Sequence, residues 1–276
     1  MPRLTSALSA AGNAAVAGVL TVMCLYPVAW LLSISFQGNA SAYHSPTRWI
    51  FAPQIDAYRD LLTNRSFLAS LTNSVQISVI ATALCVVFGA MSAYALSRYR
   101  IKGAAALTFG FAITRLVPSF AIVIPTFYIY RELDLLDTMI GVILALVAFQ
   151  VPLSTLIMYR IFNGIPRSLD EAARIDGASV LRVFALIVLP IARPGLAACA
   201  VVTFILVWNE FLFILVLAGN KLVTIPMTIA SFQTDKQILW ASIAASSVIS
   251  LIPILLLIAF AHRHLLSGLG LGSVRE

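Results

Sequence analysis

The sequence predicts an all-α integral membrane protein with six transmembrane helices and both termini on the cytoplasmic side. Three observations carry this. Of 276 residues, 61% are hydrophobic and 11% charged, against about 45–50% and about 25% in an average soluble domain, so too little polar surface exists to face water. Six apolar runs reach the roughly 20 residues a helix needs to cross a bilayer. The runs are continuous and lack the strict alternation of barrel strands.

The spans are expected at 12–36, 71–97, 104–130, 139–162, 196–218 and 239–261. The first follows Arg3 and so imitates a signal peptide. It is too long for a signal core and has no small-residue cleavage site after it, which makes it an uncleaved first span. With the N-terminus inside, Arg3, Arg98, Arg100, Lys102, Arg160, Arg167, Arg174, Arg182, Arg193, Arg263 and Arg275 lie on the cytoplasmic side. Outside are Arg48, Arg59, Arg65, Arg131, Lys221 and Lys236, and eleven cations against six set the orientation.

Composition also excludes several functions. Cys24, Cys85 and Cys199 all sit in apolar runs, where buried small hydrophobes are expected rather than a disulfide framework or redox site. His44, His262 and His264 have no metal-ligand spacing. The net charge of +7 is spread over short loops, without a basic stripe interleaved with aromatics, so nucleic acid is not a partner. No Gly-rich loop with Lys and Ser/Thr is present to cradle phosphates.

Two loops are long. The outer one, 37–70, carries Pro46, Pro53 and an amphipathic stretch at 55–62 that predicts an interfacial helix or a docking element. The inner one, 163–195, has a full set of helix signals. Ser168 is placed as N-cap, with Glu171 three residues on to complete a capping box. Asp170 and Glu171 sit where the helix dipole favours anions. Gly177 can end the helix in a left-handed turn, and a second helical run over 180–189 stops near Pro190. Ala172 and Ala173 keep the helix slim, which suits close approach to another surface.

The series Glu171-Ala172-Ala173, three residues, Gly177, nine residues, Ile187-x-Leu189-Pro190 resembles the EAA motif of ABC importer permeases. The six-span layout is similar to the MalG-type permeases of carbohydrate importers, as are Asn73-Ser74, Trp208-Asn209-Glu210-Phe211 and the closing Gly268-Leu269-x-Leu271-Gly272. The resemblance covers essentially the whole chain, and the EAA match is its most specific part. It implies a single type I importer permease domain over 1–276 in the bacterial inner membrane, and a chain that is not itself an enzyme. In the family the 163–195 loop is the coupling element, which assigns ATPase coupling to Glu171, Ala172, Ala173, Asp176, Gly177, Leu189 and Pro190. Implied partners are two copies of a cytoplasmic ATPase holding ATP and Mg²⁺, a second and different permease, and an external substrate-binding protein. The chain itself then holds no cofactor, and the solute is a sugar or sugar-like polyol.

Arg115 and Glu210 are the charges that fall well inside spans. Each costs roughly 2.5–3.5 kcal/mol if it faces lipid, so both are expected to face the bundle interior. They either pair with one another or line a path for polar solute. Gln150, Trp208, Asn209 and Tyr128 could supply hydrogen bonds and aromatic faces to a sugar, or serve ordinary helix packing. Pro118, Pro125 and Pro152 are expected to interrupt spans three and four, whereas Pro27 predicts a plain kink. A secondary transporter would need ion-coupling groups and usually internal repeats. Two charges and no visible repeat argue only weakly on that reading, against which the EAA loop argues strongly. A membrane-embedded enzyme would need a nucleophile or His/Asp/Glu constellation, of which none is apparent.

Overall fold

The computed structural model describes residues 2–39, 49–219, 221–235 and 237–270. Features singled out above that lie outside these residues are His44, Pro46, Arg48, Lys236, Arg275 and the final part of the closing Gly-Leu motif. Among the described residues the chain is all helical, with one isolated antiparallel bridge between Gln233 and Ile238.

Four helices are long and apolar enough to cross a membrane by themselves. They are α1 (Pro2–Ser35), α3 (Arg65–Arg98), α6 (Met139–Asn163) and α13 (Trp240–Gly270). The short α2 (Asp56–Thr63) precedes α3. A bent pair, Val180–Ile191 followed by α10 (Arg193–Trp208), reaches that length and apolarity only when its two halves, 80° apart, are taken together.

The expected third span is not one helix. It divides into α4 (Ala104–Ile113) and α5 (Ser119–Glu132). Pro118 stands immediately before α5 with φ −59° and ψ 135°. α4 has already ended at Ile113, and the missing N–H of Pro118 with the steric restriction on the residue before it keeps the helix from running on into α5. Pro125 and Pro152, expected to break helices, lie inside α5 and α6 without interrupting them. Pro27 likewise lies within the unbroken α1. The expected fifth span also divides, because α10 stops at Trp208 and α11 (Leu212–Leu217) begins after three intervening residues. Among the described residues, four helices and one bent pair are therefore long and apolar enough to cross, and not every expected span is one continuous helix.

The chain forms two compact units. In the first, residues 1–68 with 229–251, the amphipathic stretch forms α2 as expected and is pinned to the end of α1. Tyr58 donates to Ser35 Oγ at 2.7 Å, its ring lies 5.2 Å from that of Phe36, and the Gln54 N–H donates to Phe36 O. Leu61 is the residue of α2 that is buried. Cys24 on α1 is exposed, contrary to the expectation of a buried thiol, whereas Cys85 and Cys199 are buried.

In the second unit, residues 69–228 with 252–276, α3, α6 and α10 approach closely through small residues. A Cβ on Gly89 would sit 2.6 Å from Ser154 Cβ and 2.9 Å from Ser154 C, so only glycine lets α3 lie against α6 at this point. Ser154 Oγ in turn shares a hydrogen bond with Thr203 Oγ1 on α10 at 3.1 Å. Such small-residue seams with hydroxyl bridges are how helices associate where lipid offers no hydrophobic driving force. Asn73 and Ser74, near the start of α3, hold the segment that leads into α12 (Ile225–Ser231). Asn73 Nδ2 donates to Val223 O, and the Ile225 N–H donates to Ser74 Oγ.

Candidate functional site

The loop carrying the strongest sequence signal forms α7 (Ser168–Ile175). Its start differs from the expected capping box. Ser168 is the first helical residue rather than the N-cap, Arg167 occupies the cap position, and no side chain caps the end. The Leu169 N–H instead donates to Pro166 O in one tightened turn, and the Glu171 N–H makes the ordinary first α-helical bond to Arg167 O, so backbone carbonyls take the donors expected to be capped by Ser168. The other end agrees with expectation. Gly177 has φ +80°, its N–H donates to Arg174 O, and the Ala178 N–H donates to Ala173 O. These two bonds form a Schellman closure of the helix.

One side of α7 is fixed and the other is open. Ala173 packs into a buried cluster with Tyr94, Phe162, Val183 and Val188. Asp170 is buried too, with its Oδ2 2.7 Å from Arg98 Nε, at side-chain exposures of 8% and 5%. The Nε–H is not aimed along that line, so the contact is ionic more than a linear hydrogen bond. Tyr94 donates to the other carboxylate oxygen at 3.0 Å. Glu171, Ala172, Asp176 and Gly177 are exposed, and Ile175 is 87% exposed.

After Gly177 the chain forms α8 (Val180–Val183), a π turn (Phe184–Val188) and α9 (Leu189–Ile191). The Leu189 N–H reaches back five residues to Phe184 O. The widened turn accommodates Pro190, which has no N–H and whose ring would crowd an ordinary α turn. The run includes Pro190 and ends one residue later at Ile191, near Pro190 as expected, and its 80° bend comes next, before α10. Leu189 and Pro190 are half-buried at this corner.

The two charges expected inside the membrane, Arg115 and Glu210, do not form the ion pair weighed from the sequence. Arg115, in the break between α4 and α5, donates to Gln150 Oε1 and lies 5.0 Å over the Phe149 ring. Glu210 instead accepts from the Phe213 N–H at 3.1 Å, serving the free backbone donor at the start of α11. Each charge therefore has a neutral local partner. Trp208 is 2% exposed and stacked on Phe204, so its ring presents no open face. Asn209 is exposed and donates back to Ile205 O, and Tyr128 is exposed with Arg131 over its ring. A cavity of about 360 Å³ has Thr114, Thr126, Tyr130, Phe149 and Phe213 in its wall. Gln150 and Arg115 thus come together beside Phe149, whereas Glu210, Asn209 and Trp208 gather at the break between α10 and α11.

Sequence reasoning missed the anchoring residues. Tyr94 and Arg98 are four apart on α3 and so share one face, which was the available signal. Arg98 was read as an orienting charge, and Asp170 as a partner of the helix dipole.

With this geometry in place, comparison with known proteins identifies the family. Residues 85–269 match the family described as binding-protein-dependent transport system inner membrane component. The chain is 34% identical over 257 residues to the trehalose transport system permease protein SugB of Mycobacterium tuberculosis, covering 91% of this chain and 92% of that protein. It is 31% identical over 261 residues to the trehalose/maltose transport system permease protein MalG of Thermococcus litoralis, covering 93% and 94%. Its fold is similar to a chain in the crystal structure of a bacterial ABC transporter involved in import of the acidic polysaccharide alginate, with a TM-score of 0.76, 25% identity and coverage of 94% and 97%. The resemblance read from the EAA motif therefore holds: the chain is a multi-pass membrane protein that belongs to the binding-protein-dependent transport system inner membrane component family, a family of ABC importer permeases and not of enzymes.

Proposed function

We propose that this chain is one permease subunit of an ATP-driven importer in the bacterial inner membrane. It crosses the membrane six times with both termini inside and supplies half of the pore for a sugar, oligosaccharide or sugar-like polyol. Two cytoplasmic ATPase subunits bind ATP and Mg²⁺, a second and different permease completes the pore, and an external binding protein delivers the solute. The observation that carries the reading is the asymmetry of α7. Its Asp170 and Ala173 side is buried against the chain while Glu171, Ala172, Ile175, Asp176 and Gly177 face outward. A short helix fixed on one side and open on the other can enter a groove of a partner and carry force from it.

The carbohydrate class is supported by the names of the relatives, which are permeases for trehalose and trehalose/maltose, and by the alginate importer that shares the fold. Arg115, Gln150, Asn209 and Glu210 are placed on the solute path, with Trp208 joining only if the break between α10 and α11 rearranges. Broken helices with polar groups at membrane depth are tolerated where they line a cavity. The test is a cysteine at Ala172 in the whole transporter. It should cross-link to the ATPase subunit with a yield that changes between nucleotide-free and ATP-bound states. Efficient cross-linking to the other permease alone contradicts the proposal.

A further inference from the structure

Among the described residues, every side-chain hydrogen bond and ion pair of α7 and its cap residue goes to residues 94–99, the last turn and exit of α3. Arg167 Nη2 donates to Ser97 O at 2.6 Å, and Arg174 Nη2 donates to the Tyr99 hydroxyl at 2.9 Å. Between them, Asp170 takes the Arg98 ion pair and the Tyr94 hydrogen bond on its two oxygens. Arg98 does more than pair. Its Nη1 donates to Phe162 O at 3.0 Å and its Nη2 to Ile165 O at 3.2 Å. One guanidinium thus joins the end of α3, the end of α6 and the base of α7. The carbonyls that end a helix lack partners within it and carry partial negative charge, so a fixed cation is matched to them. The planar fork holds two carbonyls by directed hydrogen bonds while its charge meets the carboxylate, which a lysine ammonium cannot reproduce.

We infer that Arg98 and Asp170, supported by Tyr94, are positioning residues of the coupling step. They clamp α7 to the end of α3, so that displacement of α7 is delivered into the α3 span. The inference rests on α7 being the element that docks on the ATPase. A buried ion pair is a weak source of stability, since well-packed apolar replacements are often neutral or better. A directional role accounts for its burial better than stability does, because force passes only through a contact that does not slip.

The test uses the complete reconstituted transporter with Asp170→Asn, Arg98→Lys and Tyr94→Phe, reading solute moved per ATP hydrolysed in complexes matched for ATPase content. Asp170→Asn keeps the size of the side chain and an acceptor for Tyr94 but removes the charge. The ratio should fall about fivefold or more, the lower end of a typical coupling between sites, while the ATPase subunits stay bound. Arg98→Lys and Tyr94→Phe should lower the ratio in the same direction. A merely structural role would reduce the amount of complex and leave the ratio unchanged, and that result overturns the inference. Should Asp170→Asn fail to assemble, Tyr94→Phe decides by the same ratio, because it leaves the ion pair intact. A second reading comes from spin labels at the exposed Ser168 and Met91, with the exposed Cys24 replaced. Their distance should stay constant through the ATP cycle and become variable in Asp170→Asn, and a distance that already varies in the unmodified protein overturns the clamp. Uptake that ignores ATP in the unmodified transporter refutes the docking reading itself, whereas ATP-driven uptake with an unaltered Asp170→Asn ratio refutes the clamp alone.

Discussion

Arg115 donates to the side chain of Gln150, a residue 2% exposed, while Glu210 is engaged with the backbone N–H of Phe213. The two charges expected at membrane depth are therefore satisfied separately, and their substitutions should not compensate. Arg115→Met leaves the Gln150 amide buried with a missing partner, at a cost of about 1–3 kcal/mol. Losses from Arg115→Met and Glu210→Gln should add within about 0.5 kcal/mol, whereas Arg115→Met and Gln150→Leu should be strongly non-additive. Thermal stability of the purified complex checks this. Recovery in the Arg115→Met/Glu210→Gln double variant would restore the ion pair.

Gly177 separates backbone strain from crowding. Its φ is +80°, yet an added Cβ would meet nothing within 4 Å. Gly177→Val should therefore fail through conformation alone, at about 1–3 kcal/mol, and misaim α7 while the protein still inserts. Gly177→Asn, which tolerates the left-handed region, should retain most transport. Uptake measured beside membrane content tests the pair, and equal loss in both variants would point to size instead.

Two glycines in the same unit should behave oppositely. Gly89→Ala drives a methyl into Ser154 and should destabilise by about 1–3 kcal/mol. Gly110→Ala in α4 meets open space and should be neutral or stabilising by about 0.5–1 kcal/mol. Melting temperatures of the two variants decide, and an unaltered Gly89→Ala protein would contradict the close approach of α3 and α6.

Orientation can be read by labelling. A cysteine at Gln54 should react from outside in intact cells, and one at Lys102 only after permeabilisation. Both positions are exposed. The reverse pattern would put α7 on the wrong side for an ATPase.

Much of this architecture was legible because hydropathy alone marks long apolar helices, and α1, α3, α6 and α13 fall where the runs are. Gly177 was legible because its φ is a local property of residue type. What escaped depends on contacts distant in sequence. The effect of each proline depended on its setting: Pro118 splits a span while Pro125 and Pro152 sit inside helices. Ser168 had the right spacing for a cap, yet Arg167 and Pro166 carbonyls took over the backbone donors. The pairing of Arg98 with Asp170 joins residues 72 apart, and no periodicity reports that. Arg115 and Glu210 looked like partners on depth and sign alone, but Gln150 and the start of α11 offered nearer ones.

The most direct test of the account is uptake by proteoliposomes holding the full transporter and its binding protein, with ATP and Mg²⁺ supplied on the ATPase side. The account predicts that accumulation of a carbohydrate solute follows ATP hydrolysis, ignores imposed proton or sodium gradients, and collapses in Gly177→Val while the subunits remain inserted. Uptake driven by an ion gradient without ATP, or full ATP-driven uptake by Gly177→Val, would contradict it.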